Sequence, residues 1–290
     1  MPTVASNGIT ITYETFGDPS AHPLLMISGL GSQLVNWDPD LLDRFVAQGH
    51  YVIVFDNRDQ GASTWFDGAG PPDLGAIRSG DTDRAPYRLS DMAADAAGLL
   101  DALGVARAHI LGVSMGGMIA QQFVIDHPGM TRTLTSIMST PDITSVGQPT
   151  REAATALMVA PPTTVEEAQD AAVAMSKVIG STGFPLDEER IRARAAVAFN
   201  RGLHPEGTAR QMAAIGASPD RRGALADVSV PTLVVHGDID PLVTLSGGEG
   251  TAAAITGAIL WVVPGMGHDL PREIWPELLE RHAALVDAAR

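Results

Sequence analysis

Residues Gly112-Val113-Ser114-Met115-Gly116 form a G-x-S-x-G motif between an apolar run, Ala108 to Leu111, and a segment of helical character, Met115 to Asp126. Between a strand and a helix this motif carries a mechanism. The turn must be tight, the serine is held in a strained conformation, and the residues two before and two after it approach each other. Only small residues fit there, hence glycine at 112 and 116. The turn presents the Ser114 hydroxyl above a sheet with a helix N-terminus behind it, which suits a nucleophile attacking a carbonyl. The chain has 30 glycines, so chance also produces such motifs, and the partners of Ser114 must carry the argument.

A serine needs a base to take its proton. Of eight histidines, His268 stands out. It lies in Pro264-Gly265-Met266-Gly267-His268-Asp269, a loop whose glycines let the imidazole reach back over a sheet. His22, His50, His109 and His127 sit at turns or element ends. His204 and His282 read as members of solvated helix faces, and His236 ends a strand where a supporting role fits. The base in turn needs a carboxylate to fix its tautomer. Asp240, 28 residues before His268, and Asp238 both follow the apolar run Thr232 to His236, and Asp142 is a more distant candidate. An Asp before Pro241 also initiates turns, so spacing leaves the acid open. The developing oxyanion needs two preorganised donors. Met115 N–H, next after the serine, is one candidate; Leu30 N–H, in Ser28-Gly29-Leu30-Gly31, is the other.

The elements that would position these groups are legible as alternating strands and helices. Asn7-Gly8 between Thr3–Ser6 and Ile9–Phe16 predicts a hairpin. Leu24–Ile27, Tyr51–Phe55, Ala108–Leu111, Leu134–Met138, Thr232–His236 and Ile259–Val263 read as buried strands. Helices are expected over Pro39–Gln48, from Ser90 as N-cap to Gly104, over Met115–Asp126 and over Ile274–Ala289. This pattern predicts a mostly parallel, doubly wound sheet with an antiparallel N-terminal hairpin. From 142 to 226 no strand is expected. Glu166–Ile179 and Glu188–Phe199 are helical in pattern, so 142–226 is read as a lid inserted into a core made of 1–141 and 227–290. Residues 66–86 read as a long polar loop.

The formal net charge is −15 and mean hydropathy is +0.10. Such a charge argues against a nucleic-acid or anionic-membrane surface. The absence of cysteine excludes disulfides and thiolate metal sites. No apolar stretch approaches a membrane span and the N-terminus lacks a secretory pattern, so a cytoplasmic location is the expectation. No oligomeric state is predicted.

Together these residues resemble the α/β-hydrolase fold superfamily, over almost the whole chain. Asp56-Asn57-Arg58-Asp59-Gln60-Gly61-Ala62-Ser63 is similar to the D-x-R-G-x-G-x-S block that follows the fourth strand. Tyr87-x-Leu89-x-Asp91-Met92 is similar to the start of the helix before the serine strand. Asp59 in place of Gly, and Ser28-Gly29 in place of His-Gly, depart from the general pattern; both are similar to the subgroup containing aclacinomycin methylesterase. The resemblance implies Asp240 as the acid, a lid between the sixth and seventh strands, an acyl-enzyme mechanism on Ser114 with His268, and no metal or organic cofactor. It implies a small-molecule ester as substrate. Carbon–carbon bond hydrolysis, cofactor-free perhydrolysis and ligand reception are alternatives that the same residues allow. Met158, Met175, Met212 and Phe199 either line an apolar pocket or pack the lid helices together. Trp37 is placed near the oxyanion loop or in the core, and Arg190, Arg192 and Arg194 on a solvated face.

Overall fold

The computed structural model describes residues 1–289. Asn7 and Gly8 both adopt positive φ, 46° and 79°, as a two-residue hairpin turn requires, and join β1 (Thr3–Ser6) to β2 (Ile9–Phe16). The apolar runs form β3 (His22–Ile27), β4 (His50–Phe55), β5 (Ala108–Val113), β6 (Thr131–Ile137), β7 (Thr232–Gly237) and β8 (Ile259–Val263). They make one sheet in the order β1-β2-β4-β3-β5-β6-β7-β8. β2 is antiparallel to both neighbours, and every other pairing is parallel.

Parallel neighbours need crossovers, and these lay helices on both faces. On one face α1 (Pro39–Ala47) and α11 (Trp275–Ala288) bury Leu41, Phe45, Leu278 and Leu285 against Leu24, Val52 and Val235. On the other, α3 (Leu89–Ala102) and α4 (Met115–Asp126) bury Met92, Leu99, Ile119 and Phe123 against Leu25, Ile53 and Ile110. Helix α3 starts before Ser90, which lies inside its first turn. The Asp91 carboxylate accepts the Arg88 N–H at 2.7 Å, and that bond sets the start. Residues 66–86 are not a plain loop, since α2 (Leu74–Arg78) packs there with Ile77 buried.

Between β6 and β7 come α5 (Arg151–Ala156), α6 (Val165–Ile179), α7 (Glu188–Arg201), α8 (Pro205–Ala217) and α9 (Arg222–Leu225). No strand interrupts this insertion among the described residues. After β7, α10 (Ser246–Ala254) completes the order. No helix among the described residues is long and apolar enough to cross a membrane.

Two histidines expected on solvated faces are interior. His282 has no exposed surface and packs with His50 and His109, ring centroids 5.2 and 6.2 Å away, where β4 and β5 begin. His204 is 9% exposed, stacks on Trp65 at 4.0 Å and meets Asp67 Oδ1 at 2.8 Å.

Candidate active site

Ser114 follows β5 and caps α4 with φ 55° and ψ −123°, a left-handed conformation that a non-glycine residue rarely adopts. Strain of this kind costs about 1–3 kcal/mol and persists only where the surroundings over-determine it. They do so here. Ser114 N–H donates to Ile137 O at 2.9 Å, and Ser114 O accepts from Gly117 N–H and Ser139 Oγ–H at 2.9 and 2.8 Å. A Cβ at position 112 would lie 2.1 Å from Gly116 O, and one at 116 would lie 2.0 Å from Ile27 O. Both glycines are therefore required by contact as well as by the turn.

The structure brings Ser114, His268 and Asp240 together at the carboxyl ends of the strands. His268 Nε2 lies 2.9 Å from Ser114 Oγ, and Nδ1 lies 2.7 Å from Asp240 Oδ2. A carboxylate only accepts, so Nδ1 carries the ring proton and Nε2 is left as the acceptor facing the serine hydroxyl. Asp240 is fully buried and doubly held, its Oδ1 accepting the N–H groups of Leu242 and Val243 at 2.9 and 3.0 Å. The Asp-Pro turn and the orientation of the histidine thus use different oxygens of one carboxylate.

The competing acids are engaged elsewhere. Asp238 is exposed and accepts Gly265 N–H at 2.7 Å, and Asp142 accepts from Thr144 and Ser145. His236 donates from Nε2 to Val243 O at 2.7 Å, with Asp240 Oδ2 at 3.7 Å. Burial pushes its pKa down, so it packs beneath Asp240 as a neutral ring.

The loop after β3 lies against the serine. A Cβ on Gly29 would be 3.7 Å from Ser114 Oγ. Gly31, at φ 68°, donates its N–H to Gln211 Oε1 of α8 at 3.0 Å, which pins the loop. Leu30 N–H and Met115 N–H have no protein acceptor among the described residues. Met115 opens α4, where the helix leaves its first N–H groups free.

The loop that carries His268 is held partly by the insertion, a feature the sequence did not reveal. His268 N–H donates to Ile179 O at 2.6 Å, Gly183 N–H donates to Gly265 O at 2.9 Å, and Gly267 N–H donates to Ser181 Oγ at 2.9 Å. Asp269 accepts from Ser181 through both its N–H and its hydroxyl, while burial raises the Asp269 carboxyl pKa.

Beside Gly29 opens a cavity of about 670 Å³, within the range of small-molecule sites. Val113 and Met138 line it from the sheet, Trp37 and Leu41 from the segment after β3, Ile191 from the insertion, and Trp275 from α11. Met158, Met175, Met212 and Phe199 are not on its wall, and Met158 is 80% exposed. Trp37 is both core and wall, at 7% exposed. Arg190 does not lie on a solvated face. It forks onto the buried Asp38 and reaches Asp40 at 3.0 Å, tying α7 to α1. No group of three or more His, Asp or Glu among the described residues is arranged to hold a metal.

The model of the alpha/beta hydrolase fold family matches residues 22–271. The chain belongs to that family. This alpha/beta hydrolase-fold chain is 29% identical over its full length to rhodomycin D methylesterase DauP of a Streptomyces species, covering 99% of that protein. It is 26% identical to 3-oxoadipate enol-lactonase 2 of Acinetobacter baylyi, over 85% of this chain and 82% of the relative. Among solved structures, the enol-lactonase of Burkholderia xenovorans superposes with a TM-score of 0.76 at 23% identity, over 99% of this chain and 100% of the other. That likeness is one of fold.

Proposed function

We propose that this chain hydrolyses carboxylic esters through a Ser114–His268–Asp240 triad. The observation that carries the reading is the hydrogen-bonded relay from Ser114 Oγ to His268 Nε2 and from Nδ1 to Asp240, at 2.9 and 2.7 Å, on a strained turn. His268 takes the hydroxyl proton as Ser114 Oγ attacks the ester carbonyl. The oxygen that gains charge sits between the free N–H groups of Met115 and Leu30. Collapse breaks the bond to the alcohol oxygen, which leaves with the proton held on Nε2. Water, deprotonated by the same nitrogen, then releases the acid and restores the serine. Asp240 fixes the tautomer throughout and balances the imidazolium.

The helical insertion at 142–226 acts as the lid in this reading, with Ile191 and Arg194 forming part of the wall that selects the substrate. The two relatives, a methylesterase and an enol-lactonase by name, both act on ester bonds, which supports the same chemistry.

A series of p-nitrophenyl esters from acetate to palmitate, hydrolysed by wild type and by Ser114→Ala, tests the proposal. Serine-dependent turnover is expected, with a chain-length optimum set by the cavity. A folded wild type that hydrolyses no ester would shift the assignment to carbon–carbon cleavage or ligand reception. Turnover undiminished in Ser114→Ala would overturn the nucleophile.

A further inference from the structure

Three polar groups on the cavity wall have no task in the mechanism above. Trp37 is 93% buried, and its indole N–H has no acceptor among the described residues. Ser28, 3% exposed and next to Gly29, has an equally unpartnered hydroxyl. Arg194 of α7 donates no hydrogen bond to the described protein. Its nearest anion, Asp38 Oδ2, is 3.6 Å away, beyond hydrogen-bond reach. Asp38 is already engaged by Arg190 and by Asp40 N–H. All three residues line the cavity that opens beside Gly29.

Such groups are costly to bury unpaired, and a ligand that offers them an acceptor restores the missing bonds. Two of the three are pure donors, and Ser28 is a donor or an acceptor. The matching ligand atom is therefore an oxygen acceptor. The surrounding charge fixes its kind. The wall carries four carboxylates, Asp38, Asp187, Asp269 and Glu273, against three guanidinium groups, Arg190, Arg194 and Arg272, so a carboxylate ligand would add to an existing excess of negative charge. A neutral oxygen fits.

We propose that Arg194 and Trp37, with Ser28 beside Gly29, form a specificity subsite for a second, uncharged oxygen acceptor, keto or hydroxyl, on the larger portion of the ester. The inference rests on the ester-hydrolase reading for its kinetic test and is independent of it in its binding test.

The kinetic test compares the methyl ester of naphthoic acid with its ring-acetylated isomers, using wild type, Arg194→Met and Trp37→Phe, each checked for folding by circular dichroism and thermal melting. Wild type is expected to favour at least one acetylated isomer about tenfold in kcat/KM, the size of one hydrogen bond to a charged donor. That ratio should fall several-fold in either variant. Equal kcat/KM for all isomers in wild type, or a preference that both variants keep, overturns the subsite. The binding test measures the same esters by calorimetry on Ser114→Ala, with and without Arg194→Met. If wild type hydrolyses nothing while acetylated esters still bind more tightly and lose that advantage with Arg194→Met, the ester reading fails and the subsite stands. Equal affinities, or no binding of any isomer, overturn the subsite.

Discussion

Arg210 on α8 donates to the Asp59 carboxylate from Nε at 2.9 Å and from Nη2 at 2.7 Å, and neither side chain has exposed surface. Asp59 adopts φ 67° and also accepts from Tyr87 Oη–H at 2.7 Å and Phe66 N–H at 2.8 Å. Asp tolerates the left-handed region better than most residues, which lets it stand where the family pattern has glycine. What the aspartate adds is an anchor for the insertion. Removing one partner of a buried pair leaves an uncompensated charge, at a cost of about 3–5 kcal/mol. Arg210→Met is expected to lose that much stability in urea unfolding. The double variant Asp59→Gly with Arg210→Met should lose clearly less than the two single losses combined. Simple additivity would show that the pair is not coupled.

Asp240 and Asp238 stand two residues apart in different environments. Only Asp240 touches the imidazole. Asp240→Asn presents the wrong group to Nδ1 and should lower kcat by about 10³–10⁴, as expected for loss of tautomer control. Asp238→Asn keeps an acceptor for Gly265 N–H and should cost less than about tenfold. The reverse ranking in ester hydrolysis would transfer the acid to position 238.

Much of this was legible in the sequence because it is local. The hairpin turn, the apolar strands and the glycine pair around Ser114 each announce themselves within a few residues. What was not legible is long-range. Arg190 reads as one of three spaced arginines on a helix, and only folding reveals Asp38 opposite it, 152 positions away. His282 falls in an amphipathic helix, and nothing in the periodicity says that two other histidine rings meet it. Helix α3 starts ahead of the Ser90 cap that the sequence predicts, because an aspartate one residue beyond Ser90 reaches back to Arg88. Asp59 in a glycine position reads in the sequence only as a departure from the family pattern, and its partner Arg210 lies 151 positions away.

The histidine cluster where β4 and β5 begin makes stability acid-sensitive. Burial lowers the pKa of His109 and of His282 to about 3, and that of His50 falls for the same reason. In the unfolded chain a histidine titrates near 6.5. Above that pH both states are neutral and nothing is lost. Below it the unfolded state binds protons that the folded state refuses, so unfolding becomes easier. His109 and His282 should each make stability fall as the pH drops from about 6 towards 3. Urea midpoints against pH should fall over this window, and His282→Gln should flatten the slope. An unchanged slope would refute the assignment.

Glycines that touch backbone differ sharply from those that face solvent. A Cβ at 116 would sit 2.0 Å from Ile27 O, with no flexible side chain to yield, so Gly116→Ala should destabilise by several kcal/mol. At Gly223, exposed in α9, nothing lies within 4 Å of the added atom. Gly223→Ala should leave the melting temperature unchanged or raise it, since alanine costs less entropy to order. Differential scanning calorimetry of the two variants separates these outcomes.

The bond from His268 N–H to Ile179 O and the contact of Gly183 with Gly265 join the insertion to the loop that bears His268. The segment between β6 and β7 is therefore not an interchangeable cassette. A graft that imports a foreign specificity domain between residues 142 and 226 removes the scaffold of the imidazole together with the old pocket. Successful chimeras should keep residues 179–183 in place and exchange only what surrounds them. In the proposed mechanism, the same coupling lets changes far from Ser114 in the chain alter substrate choice and proton transfer at once.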